Sequence, residues 1–145
     1  MKLKVYLIEQ DAIVPIWAHS DDSGMDLFSY QEDTTINPGQ SMLVRTGIAI
    51  QLPENTEGQI RSKSGLAANH GIIVLNSPGT IDRGYTGEIK VILFNQSKKP
   101  YLVKQSQKIA QLVIVPVLHP YIEVVKKRIQ VTTSRGDKGF GSTGV

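Results

Sequence analysis

The sequence predicts an all-β domain, a sandwich or a barrel, on three observations. Short apolar runs recur along the chain, β-branched residues are frequent inside them, and turn-forming residues separate them. Many short strands with turns at this spacing are typical of β-sandwiches and barrels. The chain has 145 residues, the size of one domain, and can bury a core without crosslinks.

The strands can be placed in order along the chain. In residues 2–7, charged residues alternate with Leu3, Val5 and Leu7, as in a half-buried strand. Turn signals around the prolines at 38, 53, 78 and 100 then separate the later elements. Further strands are predicted from the apolar runs at residues 42–44, 48–52, 72–75, 89–94, 109–117 and 121–125.

One segment breaks the strand pattern. Residues 64–71, SGLAANHG, predict a short helix, with Ser64 as the N-cap and Gly71 as the left-handed residue that ends it. After Arg128 the chain becomes polar and then rich in glycine, which loses the most conformational freedom on ordering. We therefore expect a core domain over residues 1–127 and a flexible C-terminal arm over residues 128–145.

Composition excludes several classes of protein. The chain has no cysteine, so disulfides, thiolate metal sites and a cysteine nucleophile are excluded, and an enzyme of this sequence would activate water. The net charge of +3 is modest, and the one tight cluster of basic residues, 126–128, is interpreted as solvent-exposed surface. We therefore expect no stable nucleic-acid binding. No apolar run approaches the roughly 18 residues of a membrane span. The N-terminal apolar stretch is interrupted by Glu9 and Asp11, so we expect no signal peptide and a cytoplasmic protein.

Two internal loops carry candidate chemistry. RSKSGLA, residues 61–67, offers two cations, two hydroxyls and backbone N–H groups at a helix start, which suits a phosphate. The alternative is a capped helix with exposed charges. Asp82 lies among turn residues, three positions before Tyr85. It is either a turn aspartate or a carboxylate that orients water, and the residues alone leave both open.

The tail, RGDKGFGSTGV, combines groups that suit a nucleotide. Arg135 can pair with a phosphate, and Phe140 can stack on a planar base. Ser142 and Thr143 can donate hydrogen bonds to phosphate oxygens, and the glycines let backbone amides approach closely. The alternative is a disordered terminus, the usual state of chain ends.

Five segments, in this order, resemble those of trimeric dUTPases over nearly the whole chain. They are SGMDLFS (23–29), RSKSGLAANHG (61–71), NSPGTIDRGYTGE (76–88), KIAQL (108–112) and RGDKGFGSTG (135–144). The resemblance implies a β jelly-roll subunit and a homotrimer whose shared active sites are each assembled from three chains. It also implies hydrolysis of dUTP to dUMP and pyrophosphate, which limits uracil in DNA and supplies dUMP for thymidylate synthesis.

The resemblance implies a catalytic set and one cofactor. Asp82 would orient and activate the water that attacks the α-phosphorus, and Gln111 would position that water or the phosphates. Asp26 would hold Mg²⁺ through water, while the triphosphate oxygens ligate the ion directly. The C-terminal arm would close over the nucleotide of a neighbouring subunit as a lid.

Substrate binding is assigned in the same way. Tyr85 would pack under the deoxyribose and leave no room for a 2′-hydroxyl, and Phe140 would stack on uracil. The phosphate site would be formed by Lys63, Ser64 and Gly65. The hairpin that reads uracil would be formed by Asn76, Gly79, Thr80, Ile81 and Lys90. The γ-phosphate end would be bound by Arg135, Gly141, Ser142 and Thr143.

Five positions depart from the usual pattern of the family. Lys63 replaces a common arginine, which exchanges a bidentate fork for a point charge. Gln107 and Lys108 stand where Asp and Arg are frequent, so we expect an altered ion pair between subunits. Gly84 replaces an acidic residue before Tyr85, and Lys138 replaces a glycine in the arm.

Three alternative functions remain at this point. A dCTP deaminase of the same fold would need a glutamate base, and Glu88 lies near the right region. A catalytically silent nucleotide-binding regulator would keep the fold without the chemistry. A nucleic-acid binder would show affinity for DNA that falls steeply with salt.

Overall fold

The computed structural model describes residues 1–130 together with residues 133 and 136. The regular structure of this part of the chain is almost entirely β, as the sequence predicts. One helix lies among the strands, α1 (Ser64–His70). The strands are β1 (Lys4–Leu7), β2 (Met25–Phe28), β3 (Thr34–Ile36), β4 (Ser41–Arg45), β5 (Ile48–Gln51), β6 (Thr56–Arg61), β7 (Ile72–Val74), β8 (Gly79–Ile81), β9 (Lys90–Asn95), β10 (Tyr101–Val103) and β11 (Lys108–Pro116).

The strands pair antiparallel in two larger and two smaller sheets. The first large sheet has the order β2-β11-β6-β8, and the second has the order β4-β9-β7. Strands β1 and β5 form one two-stranded sheet, and β10 and β3 form the other. Apolar side chains from both large sheets belong to one buried cluster, which includes Leu27, Leu112, Val91 and Leu93.

The core follows from the pleat of the strands. Successive side chains of a strand point to opposite faces, and β9 accordingly alternates exposed and buried residues, with Val91, Leu93 and Asn95 inside. The buried Asn95 is fully paired: its side chain donates to the carbonyls of two residues, and its oxygen accepts two hydrogen bonds from Ser97. This amide fixes the turn between β9 and β10.

A register shift in β11 positions polar side chains at one edge of the first sheet. The pairing of β11 with β2 shifts between Lys108 and Ala110, after which Gln111 lies opposite Asp26. On its other side, Gln111 pairs with Arg61 of β6. Bulges commonly re-aim side chains next to functional sites, and this one brings the segments 23–29, 61–71 and 108–112 together.

Two local predictions are wrong. Residues 121–125, predicted as a strand, belong to no strand in the described part of the chain, and Tyr121, Ile122 and Val124 are almost fully exposed. A β-type apolar run forms a strand only where a neighbouring strand is available to pair with it. Ser64 is not the N-cap of α1: Lys63 has that position, with extended backbone angles. At the other end Gly71 has a φ of 65°, so the predicted helix stop is confirmed.

Five strands were absent from the sequence prediction, namely β2, β3, β6, β8 and β10. Strand β6, TEGQIR, shows why, because it contains a single large aliphatic residue. Its Gly58 lies under neighbouring strands: a Cβ there would stand 3.1 Å from Leu112 Cδ1 and 3.3 Å from Ile81 Cβ. The strand is thus defined by close packing on its neighbours rather than by its own apolar pattern. Among the described residues, the structure contains no helix with the length and hydropathy of a membrane span.

Candidate functional site

The segment of residues 76–90 surrounds a cavity of about 430 Å³, here named the hairpin pocket. Strand β8 anchors it by pairing with β6, where Thr80 lies opposite Gln59. The lining includes every residue predicted for uracil and sugar recognition in this segment, together with the predicted water-orienting carboxylate: Asn76, Gly79, Thr80, Ile81, Asp82, Tyr85 and Lys90. The structure therefore brings these seven residues together.

The Asn76 amide packs closely against Gly79 in this pocket. A Cβ on Gly79 would lie 3.2 Å from Asn76 Nδ2 and 3.4 Å from Asn76 Oδ1. The missing side chain lets the Asn76 amide lie against the backbone of β8. The pocket therefore presents backbone groups and one amide at close range, a combination suited to reading the polar edge of a planar base.

The Tyr85 ring is held by its own loop. Its backbone N–H donates to the Asp82 carbonyl at 3.0 Å, and its hydroxyl donates to the Glu88 carbonyl at 2.9 Å. A Cβ on Gly87 would stand 2.6 Å from Tyr85 Oη, so the ring lies directly on this glycine. About half of the side chain, 47%, is exposed and available to a ligand.

A second, smaller cavity of about 230 Å³, here named the Asp26 pocket, is lined by Asp26, Lys63 and Gln111. The Asp26 side chain is only 5% exposed and accepts hydrogen bonds from both Lys63 Nζ and Lys108 Nζ, the latter at 2.8 Å. Burial opposes ionisation of Asp26, but the hydrogen bonds from Lys108 and Lys63 outweigh it and hold the pKa of this carboxyl below its ordinary value. Asp26 is therefore a buried carboxylate with two cations beside it.

The donor set of the Asp26 pocket bears on which metal it can take. No group of three histidine, aspartate or glutamate side chains able to hold a metal lies among the residues that the structure describes. Both oxygens of Asp26 are paired with ammonium groups, so this pocket offers one carboxylate, through water, to a cation that keeps its waters and arrives with phosphate oxygens, as Mg²⁺ does. It does not suit a cation bound by the protein alone.

Within one chain, the predicted site residues fall into two groups. Among the described residues, the hairpin pocket and the Asp26 pocket have no lining residue in common. Ser64 and Gly65 are exposed at the start of α1 and line neither cavity. The remaining predicted residues, Arg135, Phe140, Gly141, Ser142 and Thr143, lie outside the described residues.

Two ion-paired side chains beside these pockets were not predicted from the sequence. Lys108 was expected only to alter a subunit contact, yet it pairs with Asp26. Arg45 was not singled out at all, although it lies between Glu9 and Glu88 and forms ion pairs with both. The sequence does show Arg45 at the end of a predicted strand. It does not show which residues pair with Arg45, because the two acidic partners are 36 and 43 residues away in the sequence.

A model of the family described as dUTPase matches residues 10–144. The chain belongs to the dUTPase family. This places the two pockets on a dUTPase subunit and confirms the all-β jelly-roll fold, which the related structures share.

Curated dUTPase relatives and solved dUTPase structures agree with this. The chain is 57% identical over 145 residues to the deoxyuridine 5′-triphosphate nucleotidohydrolase of Gloeothece citriformis. The matched residues are 100% of this chain and 98% of that protein. It is 54% identical over 142 residues to the enzyme of the same name from Clostridium tetani, covering 98% and 96%.

Two solved dUTPase structures are similar at lower sequence identity. A dUTPase of Staphylococcus bacteriophage 80alpha with dUpNHpp superposes with a TM-score of 0.89 at 27% identity, over 99% of each chain. The dUTPase of phage phi11 of S. aureus, described with the coordination of a structural Mg(II) ion, has a TM-score of 0.81 at 26% identity, over 90% of this chain and 100% of that one.

Proposed function

We propose that the chain hydrolyses dUTP to dUMP and pyrophosphate. The observation that carries the proposal is the hairpin pocket, in which an exposed carboxylate, an aromatic ring and a base-sized set of backbone and amide groups meet. Membership of the dUTPase family and relatives named deoxyuridine 5′-triphosphate nucleotidohydrolase support the same substrate.

The hairpin pocket would bind the nucleoside. Asn76 and the backbone of β8 would hydrogen-bond the uracil edge, and Tyr85 would lie under the deoxyribose. A ring at that place excludes a 2′-hydroxyl by contact, which is how one substrate is rejected in favour of another. Asp82, exposed in the same cavity, would accept the proton of the attacking water.

The Asp26 pocket would receive the triphosphate. Lys63 and Gln111 line it and would bind phosphate oxygens, with Ser64 and Gly65 beside them. Asp26 would hold the waters of Mg²⁺. When bound, that ion would neutralise negative charge on the phosphates. Catalysis would rest on positioning and on charge stabilisation.

We further propose that three subunits assemble into a homotrimer. Membership of the dUTPase family supports this, and so does the division of the predicted site residues between two pockets that have no lining residue in common. The core of residues 1–127 would form the trimer, and the arm of residues 128–145 would bring Arg135, Phe140, Gly141, Ser142 and Thr143 to a neighbouring site.

The contacts of Glu88 favour hydrolysis over the deaminase alternative. Its carboxylate accepts hydrogen bonds from Arg45 Nε and from the backbone N–H of Gly47 at 2.9 Å. A carboxylate bound in this way has both oxygens occupied by donors of the protein itself. It is poorly placed to act on a bound base as a deaminase residue would.

Product analysis by ion-exchange chromatography tests the proposal. The protein is incubated with dUTP, dTTP, dCTP and UTP, each with Mg²⁺ and then with a chelator. We expect dUMP and pyrophosphate from dUTP alone, and none with the chelator. Asp82→Asn should lower kcat by a factor of about 10² to 10⁴, the usual contribution of a general base. Asp33→Asn, an exposed aspartate far along the chain, is the matched control.

Each outcome has a defined meaning. Survival of dUTP would refute the hydrolase. A deoxyuridine nucleotide formed from dCTP would identify the deaminase instead. Full activity of Asp82→Asn would leave hydrolysis standing but remove Asp82 from the mechanism.

A further inference from the structure

The loop that carries Tyr85 has little stiffness of its own. Gly84 and Gly87 flank the ring, and a Cβ on Gly84 would meet nothing within 4 Å. Glycine has the largest conformational freedom of all residues. The position of the half-exposed Tyr85 ring therefore depends on what anchors the end of the loop, where its hydroxyl donates to the Glu88 carbonyl.

Glu88 is that anchor, because its side chain is tied to another part of the fold. The side chain is only 12% exposed. Arg45 Nε lies 3.1 Å from each of its two carboxylate oxygens, and the Gly47 N–H donates to Oε1 at 2.9 Å. Lys90 Nζ lies 4.0 Å from Oε2.

Arg45 is itself held in place on three sides. It lies in β4 opposite Lys90 of β9. Its Nη2 donates to Glu9 Oε1 at 2.6 Å, and its guanidinium carbon lies 5.8 Å from the centre of the Tyr30 ring. The Tyr30 hydroxyl in turn donates to Asp11 at 2.7 Å. A guanidinium fixed in this way gives Glu88 a rigid partner.

The strand beyond Glu88 is held by other bonds. The Ile89 N–H donates to the Ile48 carbonyl at 2.8 Å, and Thr46 Oγ1 donates to the Ile89 carbonyl at 2.5 Å. Loss of the Arg45–Glu88 pair should therefore free residues 83–88 without detaching β9 from its neighbours or Ile81 of β8 from β6.

We propose that Arg45 and Glu88 are positioning residues that hold Tyr85 in place and so set the discrimination between deoxyribose and ribose nucleotides. This inference rests on the proposed function, in which Tyr85 lies under the sugar. A sub-ångström shift of the ring would admit a 2′-hydroxyl, whereas the water-orienting Asp82 keeps its own place in the turn.

The test compares three variants. Arg45→Met and Glu88→Gln each break the pair, and Glu9→Gln removes the other partner of Arg45 without touching the loop. The readout is kcat/KM for dUTP divided by kcat/KM for UTP, with kcat and KM reported separately. We expect this ratio to fall about tenfold in the first two variants, the effect of losing one hydrogen bond to a charged group.

The remaining readouts separate positioning from stability. In the Glu9→Gln control the ratio should stay within about twofold, although its thermal midpoint should fall as for any lost ion pair. Combining Arg45→Met with Glu88→Gln should lower the ratio no further than either change alone, because both act through one contact. Arg45→Lys should restore the ratio only in part, because one ammonium replaces a guanidinium that reaches both Glu9 and Glu88. A ratio that is unchanged in Arg45→Met, or one that falls equally in Glu9→Gln, would overturn the proposal.

A measurement independent of turnover distinguishes failure of this inference from failure of the proposed function. Hydrogen–deuterium exchange of the peptide covering residues 82–88 should speed up in Arg45→Met and not in Glu9→Gln. If the unaltered protein does not hydrolyse dUTP, the proposed function fails and the specificity claim fails with it. Unchanged exchange in Arg45→Met would also refute the positioning of Tyr85.

Discussion

Replacing Asp26 by asparagine would remove one negative charge and change almost no volume. In the protein this carboxylate is buried and accepts hydrogen bonds from Lys63 and Lys108. The substitution leaves the two ammonium groups facing a neutral amide, which can pair with neither as strongly. We expect the variant to fold but to be less stable, and to lose its response to Mg²⁺.

The size of the effect follows from the exposure of the two lysines. Removing one partner of a fully buried ion pair costs about 3–5 kcal/mol, whereas an exposed pair contributes about 0–1 kcal/mol. The side chains of Lys63 and Lys108 are 22% and 44% exposed, so water can hydrate both ammonium groups once Asp26 is gone. We therefore expect the free energy of unfolding to fall by about 1–2 kcal/mol.

The effect should depend on pH in a defined direction. The pKa of Asp26 is lowered in the folded protein, while in the unfolded chain it is about 3.9. A group with a lowered folded pKa contributes its full stabilisation above the unfolded value and loses it as the pH falls through the folded value. The difference between the natural chain and Asp26→Asn should be constant from about pH 5 to 8 and shrink below about pH 4.

Urea unfolding in the presence of a chelator, at one fixed protein concentration, measures this difference. The chain contains a single tryptophan, Trp17, whose fluorescence can report the transition. Asp21→Asn makes the same chemical change on the exposed loop nearby and should leave the stability within about 0.5 kcal/mol. Equal stability of Asp26→Asn and the natural chain at neutral pH, or a difference that does not shrink as the pH falls below about 4, would refute the reasoning.

Three glycine and asparagine positions give further predictions. Gly24→Ala places a Cβ 3.0 Å from Gln111 Oε1. The displaced Gln111 amide should lower kcat for dUTP about tenfold, while the circular dichroism spectrum stays unchanged. Full activity of this variant would contradict the prediction. Asn95→Ala leaves four hydrogen bonds unmade in the core. The free energy of unfolding, measured by urea titration, should fall by about 2–4 kcal/mol. A fall of less than about 1 kcal/mol would argue against the prediction. Gly71→Ala puts a side chain at a φ of 65° and a Cβ 3.0 Å from the Ser97 backbone N. The thermal midpoint should fall by several degrees, which corresponds to a loss of about 1–2 kcal/mol in the free energy of unfolding. An unchanged midpoint would show that the strain is relieved.

Features that depend on neighbours along the chain could be predicted from the amino-acid sequence. Alternating apolar residues predicted β1, an apolar run predicted most of β9, and the glycine at position 71 predicted the end of α1. The order of the five motifs indicated the dUTPase family, to which the chain belongs. The roles of individual residues, including Asp82 and the arm from residue 128 onward, stay predictions.

Contacts between residues far apart in the sequence became visible in the folded chain alone. The tertiary structure placed Lys108 beside Asp26 through a register shift in β11, and Arg45 beside Glu88 through the pairing of β4 with β9. It also made a strand of the weakly apolar β6 and left the apolar residues 121–125 exposed. The physical reason is that periodicity and turn chemistry act within a few residues, whereas strand pairing, burial and charge partners depend on which strands become neighbours in the folded chain.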